Sequence, residues 1–410
     1  MKYSPLGRTG MLVSPLCLGN MMFGSWGNSD HEECVRIVHR ALDEGINFVD
    51  TADVYSAGES EVITGKALAG GRRDKVILAT KCHFPIEGGP FAVDREPNTW
   101  GNSRRHILKS CDDSLRRLNT DYIDLYQLHR PDPNVPIEES LSALNDLVHQ
   151  GKIRAFGTST FPAEHLMEAA WVASDHRYIP FSTEQPPYSI FVRWIERDLL
   201  PTCQKLNMGT LVWSPLNGGW LSGVYRANAA QRNEGRAQRA PARFDVSDPA
   251  NQKKMNLVED LVLIADEVGV TLAQLSLAWV LHHPGVTSAI IGPRIMEHLT
   301  TVLGADEVVL WLQEQRLPPM KRAGRHLHYA RKTAASRVGK CHNFLFLRVS
   351  QLNTKPLETQ PTLRCCSFQV SRRSSPRGMK ICASCLLHKT FTSFASTIAI
   401  VGCQLNSMVL

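Results

Sequence analysis

No run of about 18 apolar residues, the length needed to cross a bilayer as a helix, occurs anywhere in the chain; the most apolar stretch near its end, 394–401, is too short and carries Ser and Thr. A helical membrane-spanning role is thereby excluded, and no membrane partner is expected. The opening Met1-Lys2-Tyr3-Ser4-Pro5 lacks the apolar core that follows the charge of a secretion signal. A disulfide framework is also missing: Cys17, Cys34, Cys82, Cys111 and Cys203 are scattered singly, the usage of a reducing compartment. A cytoplasmic protein is expected. No glycine-rich dinucleotide fingerprint follows an early strand, which argues against an open, doubly wound sheet. Asp is absent from residues 311–410, and only two Glu occur there.

That last shortage exposes a compositional break. The net charge of +7 over 410 residues conceals two parts of opposite sign. Residues 1–310 hold 30 Lys plus Arg against 37 Asp plus Glu, a net −7, whereas 311–410 hold 16 against 2, a net +14. Six of the 11 cysteines also fall beyond 310. This basic, cysteine-rich tail shows neither helical nor strand periodicity and is expected to be unstructured and separate from a domain spanning 1–310. Its Cys382-Ala383-Ser384-Cys385 has the spacing of half a zinc site, with His388 nearby, but the other half, Cys365-Cys366, is adjacent and wrongly spaced. No metal is assigned, and the basic residues alone do not argue for a nucleic-acid partner.

Within 1–310, short β-branched or aromatic runs alternate with longer amphipathic stretches. Strands are predicted at 15–19, 47–51, 75–80, 122–128, 153–157, 181–185, 208–213 and 288–291, with helices at 30–44, 103–118, 137–150, 161–173 and 192–206 among the intervening segments. Eight near-continuously apolar strands joined by crossover helices predict an α/β fold, a (β/α)8 TIM barrel. The glycine-turned segment 3–14 predicts an N-terminal β-hairpin plugging the barrel. The connection 218–251, rich in Arg and Pro, is too long for a plain turn and reads as an active-site loop.

Active sites of such barrels lie where strands pass into loops. Asp50 closes one predicted strand with Tyr55 five residues on; Lys81 closes the next and His129 the one after. Singly, each has an ordinary structural explanation: a turn cap, a packing ring, a solvated ammonium, a buried imidazole. Together they form an acid, because an ammonium beside a phenol favours the phenolate and a carboxylate holds the ammonium charged. Tyr55 is then a general acid toward a carbonyl oxygen that His129 orients, and the hydride must come from a cofactor. Trp26, Phe84 and Trp100 are expected to wall the pocket for a small carbonyl substrate.

These residues resemble the aldo/keto reductases over 1–310. The resemblance is carried by Gly7-Arg8-Thr9-Gly10, the run from Phe48 to Tyr55, Gly58-Glu59-Ser60-Glu61, Ala79-Thr80-Lys81, the run from Asp124 to His129, Trp213-Ser214-Pro215-Leu216 and Ile290-Ile291-Gly292-Pro293-Arg294. It implies a catalytic tetrad of Asp50, Tyr55, Lys81 and His129 and NADPH extended across the barrel's C-terminal face. Ser159 and Gln185 would hold the nicotinamide carboxamide, with Thr160 beside them at the cofactor, and Trp213 would stack on its ring. Ser214, Pro215, Leu216 and Gly218 would approach the pyrophosphate. Gly292 would border the adenosine end, Arg294 would meet the 2′-phosphate, and His298 would face the adenine. Thr160 stands where the family commonly has Asn, His298 and Val302 where it has Gln and Asn, and Val224 where relatives often carry a basic residue, for which Arg226 could substitute. The resemblance implies reduction of aldehydes or ketones; it also extends to NADPH-binding auxiliary subunits of potassium channels, and fold and tetrad do not separate the two.

Overall fold

The structure, a computed structural model, describes residues 1–226, 240–313 and 326–330. All of them lie in the unit Met1–Lys355. The chain opens with a hairpin, β1 (Ser4–Pro5) paired antiparallel with β2 (Leu12–Val13). Its turn needs Gly7: φ is +54°, and a Cβ there would stand 2.5 Å from both the Gly209 nitrogen and the Ser182 carbonyl. This close approach lets Leu6 and Val13 close the floor of the barrel.

Eight parallel strands then form the closed barrel: β3 (Leu16–Gly19), β4 (Phe48–Asp50), β5 (Ile77–Cys82), β6 (Ile123–Leu128), β7 (Ile153–Ser159), β8 (Thr183–Gln185), β9 (Gly209–Val212) and β10 (Ser288–Ile291). Closure is by β10, which pairs with β9 through Ala289↔Val212 and with β3 through Ala289↔Leu16. The (β/α)8 architecture is thus as the alternation predicts, with each strand within a few residues of its expected span.

The helices follow capping and amphipathic logic. In α1 (His31–Asp43), the Asp30 side chain accepts from the Glu32 and Glu33 nitrogens, a cap contributing about 1 kcal/mol, and Cys34, Ile37, Val38 and Ala41 form the buried stripe. Next come α2 (Glu59–Leu68), α3 (Arg104–Leu118), α4 (Ile137–His149) and α5 (Ala163–His176). The single helix predicted over 192–206 is instead a 3-10 turn, Trp194–Glu196, followed by α6 (Leu199–Lys205). Pro201 is the reason: it lacks an N–H and is tolerated only in a helix's first turn, so the helix restarts just before it. Three further helices follow, α7 (Pro249–Val268), α8 (Leu272–Leu281) and α9 (Met296–Val302). α2 and α8 had no clear stripe to read because they are buried nearly all round. No single described helix is long and apolar enough to cross a membrane; α7 and α8 combine that length and apolarity only together, and they are bent by 91°.

Around the compositional break, β11 (Val309–Gln313) pairs antiparallel with β12 (His326–Ala330), so regular backbone continues past residue 310, where no periodicity was legible. The tail cysteines and His388 lie outside the described residues, as do Arg232, Arg236 and Arg239 of the long connection. The described ends of that connection gather Trp220, Tyr225 and Phe244, with Tyr225 and Phe244 stacked at 4.8 Å, before α7 starts at Pro249.

Candidate active site

Strand alternation builds the site. Cys17, Phe48, Ala79, Leu125, Ala155, Leu211 and Ile290 face the barrel axis and form an apolar plug with the hairpin residues. Side chains alternate across a strand, so the residue two positions on faces the axis as well. That places Asp50 above Phe48, Lys81 above Ala79, Gln127 above Leu125 and Trp213 above Leu211, a layer at the strands' C-terminal ends.

Lys81 is the hub. Its Nζ donates to Asp50 Oδ1 at 2.6 Å, to the Thr51 carbonyl at 2.7 Å and to the Tyr55 hydroxyl at 3.2 Å. Lys81 is fully buried and Asp50 is 2% exposed. Burial pulls the ammonium's pKa down, but Asp50 and Tyr55 more than offset it and hold the group above its ordinary value. Removing one member of so buried a pair costs about 3–5 kcal/mol, because the other charge is left uncompensated.

Tyr55 stands in a 3-10 turn, Tyr55–Gly58, whose Ser56 and Ala57 have positive φ. The Ser56 hydroxyl donates to the Phe23 carbonyl at 2.9 Å and accepts from the Trp26 nitrogen at 3.0 Å, tying this turn to the loop after β3. The Tyr55 ring lies 6.0 Å from Trp26 and 5.7 Å, edge-on, from His129. His129 follows β6 and is anchored by its nitrogen donating to the Cys82 carbonyl at 2.9 Å. Burial, helped by Arg130 and Lys81, pushes its pKa well below 6.5, so the imidazole is neutral near pH 7. Its Nδ1 is buried without a hydrogen-bond partner among the described residues. Phe84 meets the His129 ring at 5.1 Å, while Trp100 stands one ring further out, against His83 at 6.2 Å.

Gln127 plays a part that the sequence did not reveal. It donates to Asp50 Oδ2 at 3.3 Å, and Gln185 donates to the same oxygen at 2.9 Å and to Gln127 Oε1 at 3.3 Å. The available signal was parity: an amide two residues after the inward Leu125 must face the axis as well.

The residues expected to hold a cofactor occupy the adjoining arc, from β7 round to β10. The Ser159 hydroxyl donates to the Gln185 carbonyl at 3.0 Å, as does the Thr160 nitrogen at 3.2 Å. Thr160 has φ +60°, a region where a β-branched residue is an outlier and Asn is at home. The Trp213 nitrogen donates to the Pro186 carbonyl at 3.0 Å and its indole packs on the apolar plug, but Nε1 is buried with no partner among the described residues. After it, Ser214, Asn217 and Gly218 all take positive φ, so the chain carrying Pro215 and Leu216 turns tightly at the barrel mouth. At Gly292 a Cβ would meet only the Gly19 carbonyl, at 3.9 Å, leaving open space beside the backbone. The Arg294 nitrogen donates to His298 Nδ1 at 3.4 Å and its carbonyl accepts from Asn28 at 2.8 Å, so these two residues lie together. The orphaned indole N–H, the Ser159 hydroxyl and the open backbone at Gly292 fit a planar, polar cofactor lying across this arc. Two residues do not join it: Arg226 makes a two-pronged ion pair with Glu259, at 2.9 and 2.6 Å, and Val302 is buried in the core. Among the described residues, no group of three or more His, Cys, Asp or Glu side chains is placed to hold a metal ion.

Comparison with known proteins agrees with the barrel fold. The model of the aldo/keto reductase family matches residues 15–316. An uncharacterized oxidoreductase, YrpG, of Bacillus subtilis (strain 168) is 39% identical over 322 residues, covering 76% of this chain and 92% of that protein. A probable voltage-gated potassium channel subunit beta of Arabidopsis thaliana is 37% identical, covering 74% and 91%. A putative subunit of the same name from Schizosaccharomyces pombe (strain 972 / ATCC 24843) is 35% identical, covering 74% and 88%. With its closed eight-stranded barrel and a family match extending over most of its length, the chain belongs to the aldo/keto reductase family of oxidoreductases.

Proposed function

We propose that this protein reduces aldehydes or ketones to alcohols with NADPH, Tyr55 acting as the general acid. The observation that carries this reading is the fully buried Lys81 ammonium, within reach of both the Asp50 carboxylate and the Tyr55 hydroxyl. Tyr55 gives its proton to the carbonyl oxygen. The ammonium, kept charged by Asp50, stabilises the phenolate left behind. Neutral His129 donates one ring N–H to the same oxygen and orients it, while Trp26 and Phe84 keep water away. When bound, the cofactor supplies hydride to the carbonyl carbon. Ser159, Thr160 and Gln185 would hold its carboxamide and Trp213 its ring. Ser214, Pro215, Leu216 and Gly218 would line its pyrophosphate, and Gly292, Arg294 and His298 its adenosine end. The five described cysteines, all unpaired and buried, suit a reducing compartment, and we place the protein in the cytoplasm.

The test is NADPH oxidation, followed by absorbance, over a panel of aldehydes and quinones. For Tyr55→Phe, turnover is expected to fall by about 10²-fold or more while NADPH binding, read by fluorescence, persists. The channel-subunit names of two relatives favour a second reading, an NADPH-binding regulatory protein. Tight NADPH binding without turnover in either protein would select it.

A further inference from the structure

Arg130 directly follows His129, and the acid site makes no use of it. Its Nη1 donates to the His129 carbonyl at 2.6 Å, and the guanidinium lies over the Phe84 ring, 5.7 Å from its centre. That same ring meets the His129 imidazole at 5.1 Å. The guanidinium is therefore beside the oxygen-orienting histidine, on the wall expected to contact substrate.

This cation is half-buried, and no carboxylate among the described residues lies within ion-pairing distance of it. The acids in its neighbourhood are already engaged. Glu184 accepts from the Thr158 hydroxyl at 2.5 Å and the Phe161 nitrogen at 3.1 Å. Asp132 accepts from the Asn102 nitrogen at 2.9 Å and the Asn134 nitrogen at 3.0 Å. Burial pulls the pKa of Arg130 below the ordinary guanidinium value, partly offset by Tyr55 and Glu184, yet a guanidinium remains charged at any physiological pH. Stacking on Phe84 uses the face of the group and leaves most of its N–H edge. A partly desolvated charge with N–H donors to spare is matched by a planar anion, above all a carboxylate. The cofactor's phosphates do not answer this need, since the residues suited to them lie on the opposite arc, after β9 and β10. Further out, Arg95 lies over the Trp100 ring at 4.7 Å, and Trp100, His83 and Phe84 follow one another inward, so the basic character continues to the rim.

We propose that Arg130 anchors an anionic group, a carboxylate, carried by the substrate a few bonds from its reacting carbonyl. The carbonyl half of this assignment rests on the reductase reading; the anion half does not. The experiment compares para-carboxybenzaldehyde with its neutral methyl ester, using the NADPH-loaded protein and its Arg130→Met and Arg130→Lys variants, with melting curves to verify folding. The ratio of kcat/KM, acid over ester, is expected to be about tenfold or more in the parent, to collapse toward one in Arg130→Met, and to be intermediate in Arg130→Lys. It should also fall with added salt. A ratio near one in the parent, or one that Arg130→Met leaves unchanged, overturns the proposal. Calorimetric titration of benzoate against benzamide, with the NADP+-loaded protein, reads the anchor without turnover. If no aldehyde is reduced but benzoate binds about tenfold more weakly to Arg130→Met, the anchor stands and the reductase reading fails. Benzoate binding independent of Arg130 would overturn the anchor itself.

Discussion

Single residues decide how well this site is held. Asp50 uses one oxygen for Lys81 and shares the other between Gln127 and Gln185, so the amide expected to grip the nicotinamide is braced by the carboxylate that charges the lysine. Replacing Gln127 with Leu keeps the volume but takes away one of the two donors on Asp50 Oδ2. We expect a stability loss of about 1–3 kcal/mol, measured by urea unfolding, and weaker NADPH binding; an unchanged affinity would show that Gln185 holds its position unaided. At Thr160, the left-handed backbone carries a β-branched side chain at a cost of about 1 kcal/mol or more. Thr160→Asn should relieve it and raise the melting temperature, and a lower melting point would count against strain at this residue. The tetrad positions were legible because Asp50, Lys81 and His129 lie at or just past strand ends and Tyr55 follows Asp50 by five residues. Gln127 was legible only by parity, and Arg130 not at all, because a cation after a strand is ordinarily solvated and its burial depends on where Phe84 lies.

Elements set the protonation of groups that local sequence leaves open. On β8, Gln185 faces the axis and Glu184 faces away, buried where its oxygens cap the start of the segment leading into α5. Burial pushes the Glu184 carboxyl from 4.5 up to about 8. The folded state therefore keeps a proton that the unfolded chain releases. The stability this group contributes is full below about pH 4.5 and declines, by about 1.4 kcal/mol per pH unit, until about pH 8. Buried imidazoles act with the opposite sign. His83 and His129 are lowered by burial, and His106 falls to about 4, so their contribution is full above about pH 6.5 and is lost as pH falls below it. Denaturant unfolding at several pH values should show the parent losing stability relative to Glu184→Gln as pH rises from about 5 to 8. Parallel curves would mean that Glu184 is ionised in the folded protein. At this same scale the sequence misread 192–206 as one helix: hydrophobic periodicity runs through Pro201, but the backbone hydrogen bonds do not.

For the whole molecule, everything needed to close the barrel lies between Leu16 and Ile291, with the hairpin as its floor. A chain ending at residue 330 keeps that closure and the β11–β12 pair. It is expected to melt within about 2–4 °C of the full chain, a shift worth about 1 kcal/mol or less for a protein of this size, and to bind NADPH equally. A larger drop would show that residues 331–410 contribute to the stability of the barrel.

The sequence by itself determined the number and order of the strands and the polar residues at the ends of three of them, Asp50, Lys81 and His129. Hydrophobic alternation and strand ends are local properties, and they are written in consecutive residues. Only the tertiary structure decided the partnerships: Gln127 and Gln185, 77 and 135 residues from Asp50, meet on one of its oxygens, Arg226 turns to Glu259, and Arg130 is left beside His129 without a carboxylate among the described residues. Such pairings follow from the register between strands and the closure of the barrel, which no short stretch of sequence specifies.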